Sequence, residues 1–206
     1  MNILNIILVK KFTYKGSNWY LIKNSRYSED YVTVMREKVL TATEIGSEYV
    51  SYSNLMWFNW TDTCHEDKHG YETADYSNCN GTNDYDSSKV KEMLETKYMP
   101  TIDPSNLKEV DGYKIRIIKL DELLQKEFNI KPRSYYYVFS NETPITPTWL
   151  YQNFSASGAY NSQYWTMTKT GSQQVWIMST NSLDYFAMGN NIAVRPVINL
   201  LKSAIE

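Results

Sequence analysis

Three β-rich runs lie close together near the C-terminus: Tyr164–Thr168, Val175–Ser179 and Val194–Leu200. Each has strand length and is dense in Val, Ile, Trp, Tyr, Thr and Met. Lys169–Ser172 makes the first turn, and Thr180–Ile192 reads as a longer polar-aromatic connection. Strands that follow one another without intervening helices predict an antiparallel meander and exclude a parallel sheet wound through crossover helices. Pro196 has no N–H to give a ladder, so the last strand is expected at a sheet edge or bulged there. Trp165 and Trp176 sit mid-strand in the densest apolar runs and read as core.

Upstream, Trp19–Ile22 and Tyr31–Met35 are short β-rich runs separated by the polar stretch Lys23–Asp30, a hairpin pattern. The apolar stretch Ile3–Val9 reads as a first strand. It is too short to span a bilayer and carries neither a basic leading segment nor a small-residue cleavage site. Residues 43–85 lack periodicity and are rich in Ser, Asn, Asp, Thr, Gly and Tyr. They read as a long loop or inserted subregion anchored by Trp57, Phe58 and Trp60. A helix is expected from Asp86 to Tyr98, with Asp86, Ser87 and Ser88 as N-cap side chains and Val90, Met93, Leu94 and Tyr98 at helical spacing. Pro100 and Pro104 close it. Tyr113–Leu120 alternates toward a strand, and Asp121 is expected to cap a second short helix with Leu123, Leu124 and Phe128 on its apolar stripe. Residues 131–163 read as irregular with one short strand. The whole predicts a single α+β domain over residues 1–206.

Charge narrows the function. A net charge of -2 and a pI near 5.8 argue against nucleic acid as the partner, and no run of like charges marks a membrane-surface patch. The histidines, His65 and His69, lie beside Cys64 in a polar segment that also holds Cys79. The spacing C-H-x3-H-x9-C matches none of the common zinc-ligand spacings, so no metal site is expected there. Cys64 with His69 is the one conceivable nucleophile pair, and a loop cysteine without a role is the plainer reading. No phosphate-binding glycine loop occurs among the 8 glycines. The adjacent acidic pairs Glu66/Asp67 and Asp121/Glu122 are explained by loop solvation and helix capping. The expectation is therefore no enzyme and no cofactor. Arg195, set between two strand valines, reads as a half-buried cation that ties loop carbonyls together.

The order Tyr85-Asp86-Ser87-Ser88, Ile115-Arg116-Ile117-Ile118 into Asp121-Glu122-Leu123, Tyr164-Trp165-Thr166-Met167-Thr168, Val175-Trp176, and Val194-Arg195-Pro196-Val197-Ile198-Asn199-Leu200 resembles a domain family common in gut bacteria and their phages. That family is similar to the C-type-lectin fold and to formylglycine-generating-enzyme-like domains, and the same fold serves as the variable protein of diversity-generating retroelements. The resemblance covers about residues 15–201. It implies a C-type-lectin-like fold, with two helices packed on small antiparallel sheets and a C-terminal β-meander whose exposed face binds ligand. Two departures limit it. This chain has no cysteine after Cys79, which removes formylglycine-generating chemistry, and it lacks the Glu-Pro-Asn, Gln-Pro-Asp and Trp-Asn-Asp signatures of calcium-dependent sugar binding.

Retroelement-diversified positions start from adenine-rich Asn-type codons. In the 160–191 window Tyr160, Asn161, Ser162, Asn181, Leu183, Asp184, Tyr185, Phe186 and Asn190 meet that rule, whereas Gln163, Trp165, Gln173, Gln174, Trp176 and Met188 do not and read as fixed scaffold or as peripheral. The first set mixes rigid amphipathic rings with adaptable hydrogen-bonding groups, as a paratope does. The expectation is a non-catalytic ligand- or receptor-binding domain of a phage or bacterial surface, engaging a protein or glycan through those nine residues. Association with a virion or cell surface is expected rather than the cytoplasm. The alternative is a structural subunit of a virion or surface assembly, whose partners are further copies of the chain.

Overall fold

The computed structural model describes residues 11–23, 30–41, 44, 51–52, 55–58, 84–124, 130–133, 136–139, 150, 164–170, 174–178, 182–187 and 192–205. The expected first strand at Ile3–Val9, Phe128, and the Cys64–Cys79 segment with its histidines lie outside them.

Turn chemistry starts the first sheet. Lys15 and Gly16 both take positive φ, 45° and 73°, which gives the tight two-residue turn that suits a twisted hairpin. It joins β1 (Lys11–Tyr14) to β2 (Ser17–Lys23), with Tyr14 opposite Ser17. β2 pairs antiparallel with β3 (Tyr31–Arg36), and β3 with the C-terminal strand β13 (Val197–Leu201). β6 (Ile115–Arg116) completes the order β1-β2-β3-β13-β6. Every residue of β3 is buried, as a central strand covered on both faces requires. β13 is likewise internal, and because it pairs with β3 and β6 rather than with β10, the third of the terminal runs does not belong to the expected C-terminal meander. Pro196 stands just before the strand begins and costs no ladder bond, so the expected edge or bulge is not found.

The second sheet has the order β4-β5-β12-β9-β10-β11-β8-β7 among the described residues. Its strands are β4 (Ser51–Tyr52), β5 (Leu55–Phe58), β7 (Ile130–Arg133), β8 (Tyr136–Phe139), β9 (Tyr164–Thr170), β10 (Gln174–Met178), β11 (Ser182–Ala187) and β12 (Ile192–Ala193). Among the described residues only the β12–β9 pair is parallel. Two strands therefore fall inside the 43–85 region that reads as loop, and where 131–163 reads as irregular with one short strand there is a strand pair, β7 starting one residue before it and β8 within it. The larger difference is β11, which occupies the middle of the expected Thr180–Ile192 connection. Its partner β10 presents a five-residue ladder, and that tertiary template outweighs the polar composition of the segment.

Helix is sparse. Of the three candidate caps, Ser88 serves: its hydroxyl oxygen accepts from the Lys91 amide at 3.1 Å and starts α1 (Lys89–Met93). The chain continues as a wider π turn over Leu94–Tyr98 and a 3-10 turn over Met99–Ile102 that accommodates Pro100, then stops at Asp103 with φ 63°. The second helix, α2 (Leu120–Leu123), begins two residues earlier than expected. Its cap position is Lys119, whose amide donates to the Glu122 carboxylate at 2.9 Å, and Asp121 lies in the first turn.

Two apolar cores result. One joins Val32, Val34, Ile198 and Leu200 of the first sheet to Val90, Met93, Leu94 and Tyr98, and to Trp165, Val175 and Ile177. The other joins Met35 and Val197 to Tyr164, Met178, Leu183, Ile118, Leu123 and Leu150. Neighbours such as Tyr164 and Trp165 enter different cores because a strand alternates its side chains between faces.

Candidate functional site

A polar cleft of about 290 Å³ opens on the first sheet, lined by Thr33, Val110, Asp111, Arg116, Lys119, Asp121, Glu122 and Asn199. Its floor is a register pair, Thr33 opposite Asn199, on adjacent central strands. Each is only 2% exposed. The Thr33 hydroxyl donates to Asn199 Oδ1 at 2.9 Å, and Asn199 Nδ2 donates to the Tyr113 carbonyl at 3.1 Å. One wall is Arg116, which grips Glu122 through both terminal nitrogens at 2.7 and 2.5 Å and also donates to the Ile117 carbonyl at 3.0 Å. A bidentate pair of this kind fixes both side chains in direction as well as distance.

The rim is a hairpin in which Val110 and Tyr113 exchange both backbone bonds at 3.0 Å. Its turn, Asp111-Gly112, has φ of 52° and 83°, a conformation that glycine adopts without strain. Lys119 Nζ approaches Asp111 at 3.5 Å. Tyr113 donates to the Asp86 carboxylate at 2.8 Å, and partial burial together with that bond pushes its phenol up to about 12. Sequence reasoning missed this cleft. The one available signal was a polar residue inside each of two apolar strand runs, Thr33 and Asn199.

Arg195 has the structural role that its setting predicts. It is fully buried where the chain passes from β12 to β13, and so from one sheet to the other. Nε donates to the Arg36 carbonyl at 2.6 Å, Nη1 to Leu150 at 3.0 Å and Nη2 to Glu37 at 2.7 Å. The guanidinium carbon lies 5.3 Å from the centre of the Tyr164 ring, whose hydroxyl donates to the same Leu150 carbonyl at 2.9 Å. Trp165 is fully buried and Trp176 half-buried against the second core.

Of the nine predicted recognition residues, Tyr160, Asn161, Ser162, Asn181 and Asn190 lie outside the described residues. The other four are on β11. Leu183 is fully buried in the second core, opposite Met178, as an ordinary core leucine is, and is withdrawn from any ligand. Asp184 stands opposite Ile177, Tyr185 opposite Trp176 and Phe186 opposite Val175. Because strand positions alternate, 185 shares the sheet face of Trp176, Met178 and Leu183, while 184 and 186 share that of Val175 and Ile177. The register therefore separates the adjacent aromatics Tyr185 and Phe186. β8 and β7 extend both rows: positions 136 and 138, with 131 and 133, belong to the face of Asp184, and 137, with 130 and 132, to that of Leu183.

Comparison with known proteins finds no matching family model, no matching curated protein and no matching solved structure.

Proposed function

We propose that this chain is a C-type-lectin-like, non-catalytic recognition domain of a phage or bacterial surface, which binds a protein or glycan through the strands that follow β9. The observation that carries the reading is the β10–β11 register. It sets position 185 opposite the half-buried Trp176, next to the buried pair Met178 and Leu183. A half-buried tryptophan offers rigid amphipathic surface at little entropic cost, and a tyrosine at position 185 would extend it. The sheet that carries it is anchored by Arg195 and by a doubly covered core, so side chains at its margin can vary without loss of the fold. In this reading Tyr185 acts with Tyr160, Asn161, Ser162, Asn181 and Asn190. Leu183 is excluded by its burial, and Asp184 and Phe186 both stand on the face of the buried Val175 and Ile177. Short helices beside largely antiparallel sheets support the α+β part of this reading.

Sequencing sibling copies of the gene within one genome tests the proposal. Recognition under diversification requires substitutions concentrated in 160–191 and sparing Leu183, Trp165 and Trp176. Substitutions spread evenly over the exposed positions would instead favour a structural subunit.

A further inference from the structure

The geometry points to a second, small-molecule site in the polar cleft of the first sheet, shaped for an uncharged polyhydroxylated ligand no larger than one sugar ring. It does not involve β11, so its failure would leave the surface reading intact. The first observation is the floor. On the same face of the sheet, Met35 and Val197 are fully buried and apolar, and one step along the strands Thr33 and Asn199 replace them with polar groups equally withdrawn from water. Polar atoms so placed cost stability unless hydrogen-bonded, and an apolar pair would close the space without them.

Residual hydrogen-bonding capacity is the second observation. Thr33 donates its proton to Asn199 and keeps oxygen lone pairs. Asn199 spends one Nδ2 hydrogen on Tyr113 and retains the other. Arg116 commits Nη1 twice and Nη2 once, which leaves Nε–H and a second Nη2 hydrogen. Donors and acceptors thus remain side by side around a volume of about 290 Å³, near the lower end for ligand pockets. Charge selects the ligand class. Arg116 is already matched by Glu122 and Lys119 by Asp111. The remaining carboxylate, Asp121, lies at the exposed rim, where it accepts from the Glu122 amide at 3.0 Å. An anion would meet that carboxylate, and a cation on the floor would meet Arg116, so a charged ligand there would have to break an ion pair or sit beside one uncompensated. A hydroxyl both donates and accepts. It can bond a carboxylate and an Arg or Asn hydrogen at once and leave the pairs intact.

Isotope-labelled full-length protein titrated with glycerol, myo-inositol and D-glucose, and separately with glycine, acetate and methylammonium, provides the test. At least one polyol should shift the Asn199 side-chain amide signals and the backbone amides of Thr33 and Arg116, and the charged probes at equal concentration should not. Thr33→Val, which removes the hydroxyl at nearly constant shape, and Asp121→Ala at the exposed rim should each weaken that polyol about three- to tenfold, the loss of one hydrogen bond. Asp121→Ala keeps the test open should the buried change unfold the chain. Absence of shifts with every polyol, a charged probe binding as well as the polyols, or affinity indifferent to both substitutions would overturn the assignment.

Discussion

A guanidinium sealed from water must find acceptors, and Arg195 finds three backbone carbonyls, from Arg36, Glu37 and Leu150. Arg195→Met would preserve much of the volume but strand those carbonyls in a dry site. A loss of about 3 kcal/mol or more in a urea denaturation series is the expected cost. Glu37 is a different case, because its side chain reaches the surface. Burial raises its carboxyl, but hydrogen bonds from Lys11, Asn18 and Tyr20 outweigh that and hold it below the ordinary 4.5. Its contribution is therefore complete above pH 4.5 and disappears as pH falls through the depressed value. Glu37→Gln should flatten the acid limb of a stability–pH curve and leave the neutral plateau less affected. At the other extreme, burial lifts the phenols of Tyr85 and Tyr164 far above the ordinary 10.0, and that of Tyr98 to about 12. A raised folded value means stability present below pH 10 and lost as pH climbs past it. Tyrosinate absorbance from these rings should accordingly appear only together with alkaline unfolding, in one cooperative step.

At the scale of elements, α1 shows how little helix this fold needs and how firmly it is held. Its intrinsic stability is small, since a segment this short cannot offset the cost of nucleation. Burial of Val90, Met93 and Leu94 against the first core supplies the rest. Leu94→Ala should cost about 2–5 kcal/mol, the range for truncating a buried leucine. Ser88→Ala, which removes the cap acceptor for the Lys91 amide, should cost about 1 kcal/mol. Thermal melts of the two variants give the ranking, and a smaller effect for Leu94→Ala than for Ser88→Ala would contradict the burial argument. The helical periodicity that announces α1 is legible because four apolar residues recur on one face. α2 was legible only roughly, since its start is set by tertiary partners: Thr168 Oγ1, which accepts from the Leu120 amide at 3.0 Å, and Glu122, which Arg116 holds in place.

For the molecule as a whole, two sheets share two cores, and the route between the sheets passes through Val194-Arg195-Pro196. Backbone bonds from Arg36 N to Pro196 O and from Leu40 N to Val194 O, each 2.9 Å, bind that passage to the segment after β3. The register this arrangement imposes on β11 makes a prediction that a loop would not. Phe186→Ala should lower thermal stability more than Tyr185→Ala, because 186 stands on the face of the fully buried Val175 and Ile177, and 185 beside the half-buried Trp176. Tyr185→Ala should in turn weaken engagement of a surface ligand by about 1–4 kcal/mol, as the loss of an interface anchor does. Equal melting temperatures for the two variants would mean that the strand does not hold this register in solution.

Local signals in the chain suffice for the α+β class, the β2–β3 hairpin, the helix after Ser88, the three terminal strands and the structural use of Arg195. Those features follow from local propensity, hydrophobic period and the rule that a buried cation must be paired. Tertiary structure decided the rest. β11 became a strand because β10 offered it a ladder, although its own residues read as a connection. Pro196 was harmless because the strand begins after it, which no property of proline specifies. The polar cleft arose because pairing β3 with β13 brought Thr33 to Asn199 across 166 positions of chain, and pairing β13 with β6 added Arg116. Local preferences act over a few neighbouring residues, whereas a site assembled from distant strands exists only once their register is fixed.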